Sequence, residues 1–461
     1  MPARKIAPFW AHQTETIKFC GTRKKRILDI SDPGTGKTRS HAELWWRRRK
    51  KGGGCLLVIA PKTLLKTAWA DDIRTFLPLI VTYSICRSYK RAESFDVDVD
   101  AYITNTDGVK WLAKQRPSFF KKFDTIIIDE ITAFKHRSSG RSRAMGKIKR
   151  HFVYRTGMTG TPNANTNLDL WNQMMILDDG KLLGKSYTQF RNTICSYQPG
   201  QYGGKWIDKP LTEQAIARKL TPVSVRHEFD NCMDIPKNHM YKRFFDMSGG
   251  LRRAYDKMLA EAILWLEEQG TVSAVNEGVL RNKLLQIASG AVYGDDDKDR
   301  RRDPTYKIID RERYALVGDL VEGRDHSVVF FNWKHQREEL KLEFDEREIS
   351  YAVIDGNTPD KKREEIVEAY QDGAYQTLAM HPKTGAHGLT LTRGRATIVT
   401  SPFYEADFLK QGIHRIYRGG QKHKTETILI EARGTIESQV YARLTQKTKR
   451  MESLLSMLLK G

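Results

Sequence analysis

The sequence predicts an α/β protein of two tandem lobes, each a mostly parallel sheet flanked by helices. Three observations predict it. First, short apolar runs recur at residues 27–30, 56–60, 126–128, 328–331 and 397–400, closed by turn residues such as Pro61, Asp129 and Pro402 and followed by helix-like stretches. Runs of this length with punctuated ends read as strands buried on both faces. Second, the set occurs twice. The first ends near Trp171, and its lobe is expected to extend to about residue 230; the second resumes near Ser327. Third, a glycine-rich loop follows the first run directly, at the carboxyl end of a strand, where α/β sheets bind their ligands.

The expected lobes are residues 1–230 and 231–461, the second opening with a helical segment at 240–305. In that segment Leu251, Tyr255, Met258, Leu259, Ala262, Ile263 and Leu266 share one helix face, a packing stripe. The acidic run at 295–303, ending in arginines, reads as a solvated loop. Residues 440–459 read as a final helix, expected to dock on the second lobe. No tandem repeats are visible.

Of the 461 residues 39% are apolar, enough for real cores, so the chain is globular rather than disordered. Lys and Arg number 78 against 56 Asp and Glu, a net charge of +22, which favours a polyanionic partner such as nucleic acid; the bland alternative is solubility alone. The five cysteines, Cys20, Cys55, Cys86, Cys195 and Cys232, are odd in number and widely spaced. That pattern speaks against a zinc site or a disulfide framework and for a reducing cytosol. The stretch after Met1 is basic without the apolar run of a signal peptide, and no apolar stretch is long enough to span a membrane. The expectation is a cytoplasmic protein, of a bacterium or a phage-infected host, without a membrane partner.

The strongest local signal is Ser31, Asp32, Pro33, Gly34, Thr35, Gly36, Lys37, Thr38. Glycines let the backbone curl so that its N–H groups point at phosphate oxygens; Lys37 reaches the outer phosphates, and the Thr38 hydroxyl suits Mg²⁺. The strict pattern has Gly where Ser31 stands. The second half of such a site is a buried strand ending in two carboxylates, Asp129 and Glu130. Asp129 suits contact with Mg²⁺, and Glu130 suits orienting and deprotonating an attacking water.

Further motifs follow in order. His12 and Gln13, after Phe9 and Trp10, are similar to an adenine-reading Q motif. Asp32 to Thr38 is similar to motif I, Ala60 to Leu65 with Trp69 to motif Ia, Ile103 to Thr106 to motif Ib, Asp129 to Thr132 with Lys135 to motif II, and Thr159 to Asn163 with Leu168 to Trp171 to motif III. In the second half Val328 to Phe331 is similar to motif IV, with Asp355, Gly356 and Arg363 beyond it; Gly385 to Thr392 is similar to motif V; Gln411, Arg415, Arg418, Gly420 and Gln421 have motif VI spacing; Gly434 to Glu437 is similar to the segment closing the second lobe. In this order the chain resembles the SNF2-type superfamily-two helicase/translocase ATPases over nearly its whole length, and the minimal phage and prokaryotic members most. It departs from them at Thr132, where motif II has His, and at Thr390, where motif V has Asn.

The resemblance implies two tandem RecA-like lobes with an ATP cleft between them. It implies ATP and Mg²⁺ as cofactors, held by Gln13, Asp32, Pro33, Gly34, Thr35, Gly36, Lys37, Thr38 and Gln411, with Thr38 and Asp129 on the metal. Catalysis would fall to Lys37, Asp129, Glu130, Arg415 and Arg418; the two arginines, three apart, would share a helix face, with Arg418 as arginine finger. DNA would be gripped by Lys62, Thr63, Thr104, Thr161 and Lys383, without sequence preference. The clusters at 23–26 and 47–51 either touch DNA or are solvated faces, and Trp45 and Trp46 either stack on bases or pack.

The expected activity is a DNA-dependent ATPase that moves on duplex or branched DNA and remodels DNA or protein–DNA complexes. Two other readings stay open: a strand-separating helicase on DNA or RNA, and a nucleotide-gated DNA clamp with little turnover, which Thr132 keeps alive.

Overall fold

The computed structural model describes residues 6–21, 23–199, 204–268, 274–293, 305–385 and 389–459. The chain divides into two compact units, one of Met1–Ser196, Ile207–Asp234 and Lys447–Gly461, the other of Tyr197–Trp206 and Ile235–Gln446. Among the described residues no helix is long and apolar enough to cross a membrane.

In the first unit the strands are β1 (Arg26–Asp29), β2 (Cys55–Ala60), β3 (Tyr83–Cys86), β4 (Ala101–Asn105), β5 (Phe123–Asp129) and β6 (Tyr154–Met158). A two-stranded ribbon follows, β7 (Cys195–Gln198) with β8 (Lys205–Asp208), and then β9 (Ser224–Val225). All but the ribbon form one parallel sheet in the order β3-β4-β2-β5-β6-β1-β9. The apolar runs need no alternation because both faces are covered. Cys55, Leu57 and Ile59 of β2 enter one core cluster, while Leu56, Val58 and Ala60 enter the other.

The second unit contains β10 (Asn238–Phe245), the antiparallel pair β11 (Ala291–Tyr293) and β12 (Tyr306–Ile308), then β13 (Ser327–Phe330), β14 (Tyr351–Ile354), β15 (Thr377–Met380), β16 (Ala396–Val399) and β17 (Thr425–Ala432). Its main sheet runs β10-β17-β16-β13-β15-β14, again parallel. Val329, Ala379 and Ile398 pack on one face, Val328, Leu378 and Met380 on the other. Each unit is thus a parallel sheet between helical layers, and the chain is two tandem RecA-like lobes.

Three features differ from the sequence reading. Asn238–Phe245, inside the stretch read as helical, is an edge strand, because eight consecutive residues pair with β17. The last helix, Glu437–Leu459, does not belong wholly to the second lobe. Tyr441 and Leu444 pack in the second unit, but Met451, Leu454, Leu455 and Leu458 lie in the core of the first. Of the helical stripe, Leu251 and Tyr255 are buried and Leu259 is exposed; the side chains of Ala262, Ile263 and Leu266, and the acidic run at 295–303, lie outside the described residues.

The basic cluster at 47–51 is largely engaged within its own unit. Arg47 pairs with Glu43 and Arg49 with Asp100, while Arg48 is buried over the Tyr154 ring. Trp45 and Trp46 are buried in the core, so they pack rather than stack on bases. Burial pushes the Cys20, Cys86 and Cys195 thiols up to about 12, which leaves them inert near neutrality.

Glu437, from the segment closing the second lobe, is fully buried and meets the Arg313 guanidinium at 2.7 Å. Arg313 also donates to the Thr400 and Ala288 carbonyls, and Glu437 accepts from the Ala432 N–H. Removing one partner of such a pair strands a buried charge. Arg313→Met is expected to lower unfolding stability by about 3–5 kcal/mol, read as a fall in the urea midpoint. The double variant Arg313→Met with Glu437→Leu is expected to recover most of that loss.

Candidate functional site

The loop after β1 turns into the helix α2 (Lys37–Arg49), thirteen residues long with Gly36 at its cap. Gly34 and Gly36 have φ of +85° and +71°, which side chains rarely adopt. A Cβ on Gly36 would also collide with the Gln13 amide and the Trp10 ring. These glycines let the loop curl at a helix N-terminus, where free N–H groups and the helix dipole favour an anion.

The loop is held from several sides. In the helix α1 (Ala11–Cys20), Gln13 is buried and donates from Nε2 to the Gly36 carbonyl at 3.1 Å, while its Oε1 accepts from the Trp10 N–H at 3.0 Å. The His12 ring meets the Thr35 carbonyl at 2.8 Å. Pro33 lies against Gly160, where a Cβ would collide with it. The Thr35 hydroxyl donates to the Asp32 carbonyl.

The Asp32 side chain accepts two bonds from Arg226, at 2.8 and 3.2 Å, and one from the Phe229 N–H. Asp32, expected at the nucleotide, instead fastens the loop to the residues after β9, with its carboxylate on Arg226 and its N–H donating to the His227 carbonyl at 3.0 Å. Sequence reasoning missed Arg226. A carboxylate inside a phosphate loop was the available signal, since it would repel the ligand unless a cation neutralised it.

Beneath the loop, Asp29 and His41 form a buried pair at 2.8 Å. Burial alone would push the Asp29 carboxyl up; the His41 hydrogen bond and charge, with the Lys37 charge, outweigh it and bring the group down to about 2. Lys37 itself donates to the Ser31 and Asp32 carbonyls at 2.7 and 2.9 Å.

Asp129 and Glu130 stand at the carboxyl end of β5. Asp129 is buried, and burial pushes its carboxyl up against the pull of the Trp69 hydrogen bond and the Lys37 charge. The Trp69 indole N–H donates to its Oδ2 at 2.9 Å, a task the sequence reading did not see. The Thr38 hydroxyl has no partner among the described residues. A buried carboxylate and an open hydroxyl form a donor set that fits an oxygen-seeking divalent cation such as Mg²⁺. Glu130 sits at φ +52°, ψ +58°, a left-handed conformation uncommon for a non-glycine residue. Its Oε2 accepts from the Thr159 hydroxyl at 3.2 Å. The Thr159 hydroxyl in turn accepts from the Thr161 N–H, which ties motif III to motif II.

In the second unit the helix α3 (Ala406–Ile416) carries Gln411 and Arg415. Arg418 lies beyond its end, after Tyr417 at φ −85°, ψ 82°, so the two arginines do not share a helix face. They converge by another route, each donating to the Leu389 carbonyl, at 3.1 and 3.0 Å. The buried Gln411 gives its backbone carbonyl to Arg415, and its Oε1 has no donor among the described residues.

The expected nucleic-acid contacts separate. Lys62 and Lys383 are exposed and Thr63 is half-buried. Thr104 and Thr161, expected to grip DNA, are fully buried, and Thr104 donates to the Cys86 carbonyl, so neither side chain is open to a nucleic acid. Residues 386–388, including the His387–Gly388 step of motif V, lie outside the described residues.

Comparison with known proteins matches residues 12–289 to the SNF2-related domain and residues 312–420 to the helicase conserved C-terminal domain. The chain is 28% identical to putative protein p41 of Acyrthosiphon pisum secondary endosymbiont phage 1, over 87% of each chain. It is 22% identical to an uncharacterized ATP-dependent helicase of Mycoplasma genitalium, over 87% of this chain and 37% of that one. The SWI/SNF-related matrix-associated actin-dependent regulator of chromatin subfamily A-like protein 1 of Xenopus tropicalis is 22% identical, over 96% of this chain and 44% of that one. The chain therefore spans less than half the length of these last two. Among solved structures, the Sulfolobus solfataricus SWI2/SNF2 ATPase core in complex with dsDNA is similar at a TM-score of 0.44 and 18% identity, covering 99% of this chain and 94% of that one.

The Asp29–His41 pair has a pH signature. The folded carboxyl titrates at about 2 against an ordinary 3.8. A depressed value stabilises the fold above pH 3.8 and ceases to do so as pH falls through about 2, a contribution of about 2 kcal/mol. His41→Ala is expected to be less stable than the wild type at neutral pH, with the gap narrowing toward pH 2; thermal unfolding midpoints across pH read it. A gap that widened in acid would contradict the assignment.

Proposed function

Because this chain belongs to the SNF2-related family, whose domain matches residues 12–289, and is an ATP hydrolase carrying a helicase C-terminal domain, we propose that it couples hydrolysis to movement along duplex or branched DNA, displacing or remodelling what it meets there. The observation that carries this reading is the cluster of Lys37, Asp129, Glu130 and Thr159 at the carboxyl ends of neighbouring strands.

The chemistry follows from these residues. Lys37 exchanges the Ser31 and Asp32 carbonyls for outer phosphate oxygens, a trade that brings a cation to the charge being moved. Glu130, steadied by Thr159, orients the attacking water and accepts its proton. Thr38 and Asp129 would hold Mg²⁺, which supplies charge neutralisation on the phosphates. Gln13 and Trp10 frame the adenine. Arg415 and Arg418 would stabilise the charge that develops on the γ-phosphate. The exposed Lys62 and Lys383 would contact the DNA backbone, so that binding is insensitive to sequence and weakens steeply with salt, whereas the Thr63 hydroxyl is covered. The setting proposed is the cytoplasm of a bacterium or of a phage-infected host.

The test is ATP hydrolysis with no nucleic acid, single-stranded DNA, duplex, forked DNA and RNA. Stimulation by duplex and forked DNA is expected. Glu130→Gln is expected to lower it roughly 100-fold or more while nucleotide still binds, and Arg418→Ala to lower it by about 10³ or more. Stimulation by single strands or RNA alone would favour strand separation instead. Nucleotide binding with no hydrolysis under any condition would leave a clamp.

A further inference from the structure

The second unit has a crevice that the ATP chemistry does not use. From β13 the chain runs to β14 on one side of the sheet; from β16 it runs to β17 on the other. The following helices pack on opposite faces. Leu340 and Phe344 of the helix Lys334–Glu346 join one core cluster, and Ile416 of α3 joins the other. A parallel sheet opens a crevice at the carboxyl ends of strands where its connections diverge in this way, and ligands bind there.

The crevice is a cavity of about 230 Å³. Trp333, Tyr404 and Phe408 contribute aromatic walls, Asn332 and Asn282 amides, and Lys383 a cation. The Trp333 ring is backed by His335, stacked at 5.8 Å and 11°. His335 is buried, held by Ser289 and Tyr293 at 2.8 Å each, and burial pushes its imidazole down to about 3, so it is a neutral, fixed support. Asn332 donates from Nδ2 to the Ser401 and Pro402 carbonyls and to the Ser401 hydroxyl. Its Oδ1 accepts from no described residue. Glu405 also lines the cavity and disfavours an anion inside it. A flat π surface with hydrogen-bonding edges and no charge of its own fits these walls, with its phosphate left at Lys383.

We propose that this crevice takes a single unpaired nucleobase, stacked against the aromatic walls and read at its edge by Asn332 and Asn282, and that it gives the motor a preference for duplexes carrying a bulge or gap. Continuous duplex offers no such base, because extrusion requires unstacking and unpairing. The proposal rests on the reading of the chain as a DNA motor and narrows its substrate.

The test uses the full chain and two duplexes carrying 2-aminopurine, one with the base in a bulge and one with it paired. The ratio of the two affinities is read by fluorescence at fixed salt, so a partial loss of folded protein cancels. The wild type is expected to prefer the bulge about tenfold. Trp333→Ala and Tyr404→Ala are expected to bring the ratio toward one, and Trp333→Phe, which keeps a stacking ring, to restore most of it. A wild-type ratio of one, or a ratio unchanged in both alanine variants, overturns the pocket. If duplex still stimulates ATP hydrolysis in that event, the motor reading survives; if the wild type binds neither duplex, both fall.

Discussion

A loop that grips phosphate presents backbone N–H groups with no partners of their own, and it must keep that shape whether or not an anion is bound. Much of the first unit can be understood from this constraint. Left-handed glycines permit the curl but do not fix it. Fixing comes from Gln13 and His12 on one side, Arg226 on another, and the Gly160–Pro33 contact on a third. Each of these bonds uses a carbonyl, a side-chain oxygen or an apolar surface of the loop, while at its start the Ser31 and Asp32 N–H groups donate to the Asp29 carboxylate and the His227 carbonyl. Even Lys37 follows this rule, since its bonds to Ser31 and Asp32 carbonyls can be exchanged for phosphate without disturbing the backbone.

The same logic extends to the carboxylates. A buried Asp129 is costly unless a partner favours its charge, and Trp69 supplies one such bond without neutralising it. Burial still pushes the carboxyl up, against that bond and the Lys37 charge. Glu130 is placed by backbone strain instead. Its left-handed conformation turns the side chain off the strand line, toward Thr159 on the neighbouring segment. Strain of that kind persists only where the surroundings over-determine it, and here β5 is flanked by β2 and β6 on both edges.

What the sequence disclosed and what it concealed divide by range. Strands, the glycine loop and the paired carboxylates are local patterns, and they lie where residues 27–38 and 123–130 placed them. Partnerships are not local. Arg226 is 194 residues from Asp32, and no pattern around either names the other. Burial is equally non-local: Thr104 and Thr161 have the composition of contact residues, but packing closes over both. The final helix carries two apolar patches, one at Tyr441 and Leu444 and one from Met451 to Leu458, and the polar run at 445–450 between them is the signal that its two halves enter different cores. The helix face expected to be shared by Arg415 and Arg418 failed for a smaller reason. A three-residue spacing implies a shared face only while the helix lasts, and α3 ends at Ile416.

The arginines nevertheless converge, and how they do so bears on control. Both guanidinium groups take the Leu389 carbonyl, and the Leu391 N–H returns a bond to the Arg415 carbonyl. Gln421, buried just beyond them, donates to the Thr392, Gly394 and Ile416 carbonyls at 2.9 to 3.1 Å. The arginine turn and residues 389–394 are therefore stitched together at both ends. Residues 389–392 are the tail of motif V, which Lys383 precedes by two positions. Displacing that tail cannot leave the arginines in place without breaking several buried hydrogen bonds, at about 1–3 kcal/mol for each group left unsatisfied. Moving as one body avoids that penalty, so a shift of this segment carries the arginines with it.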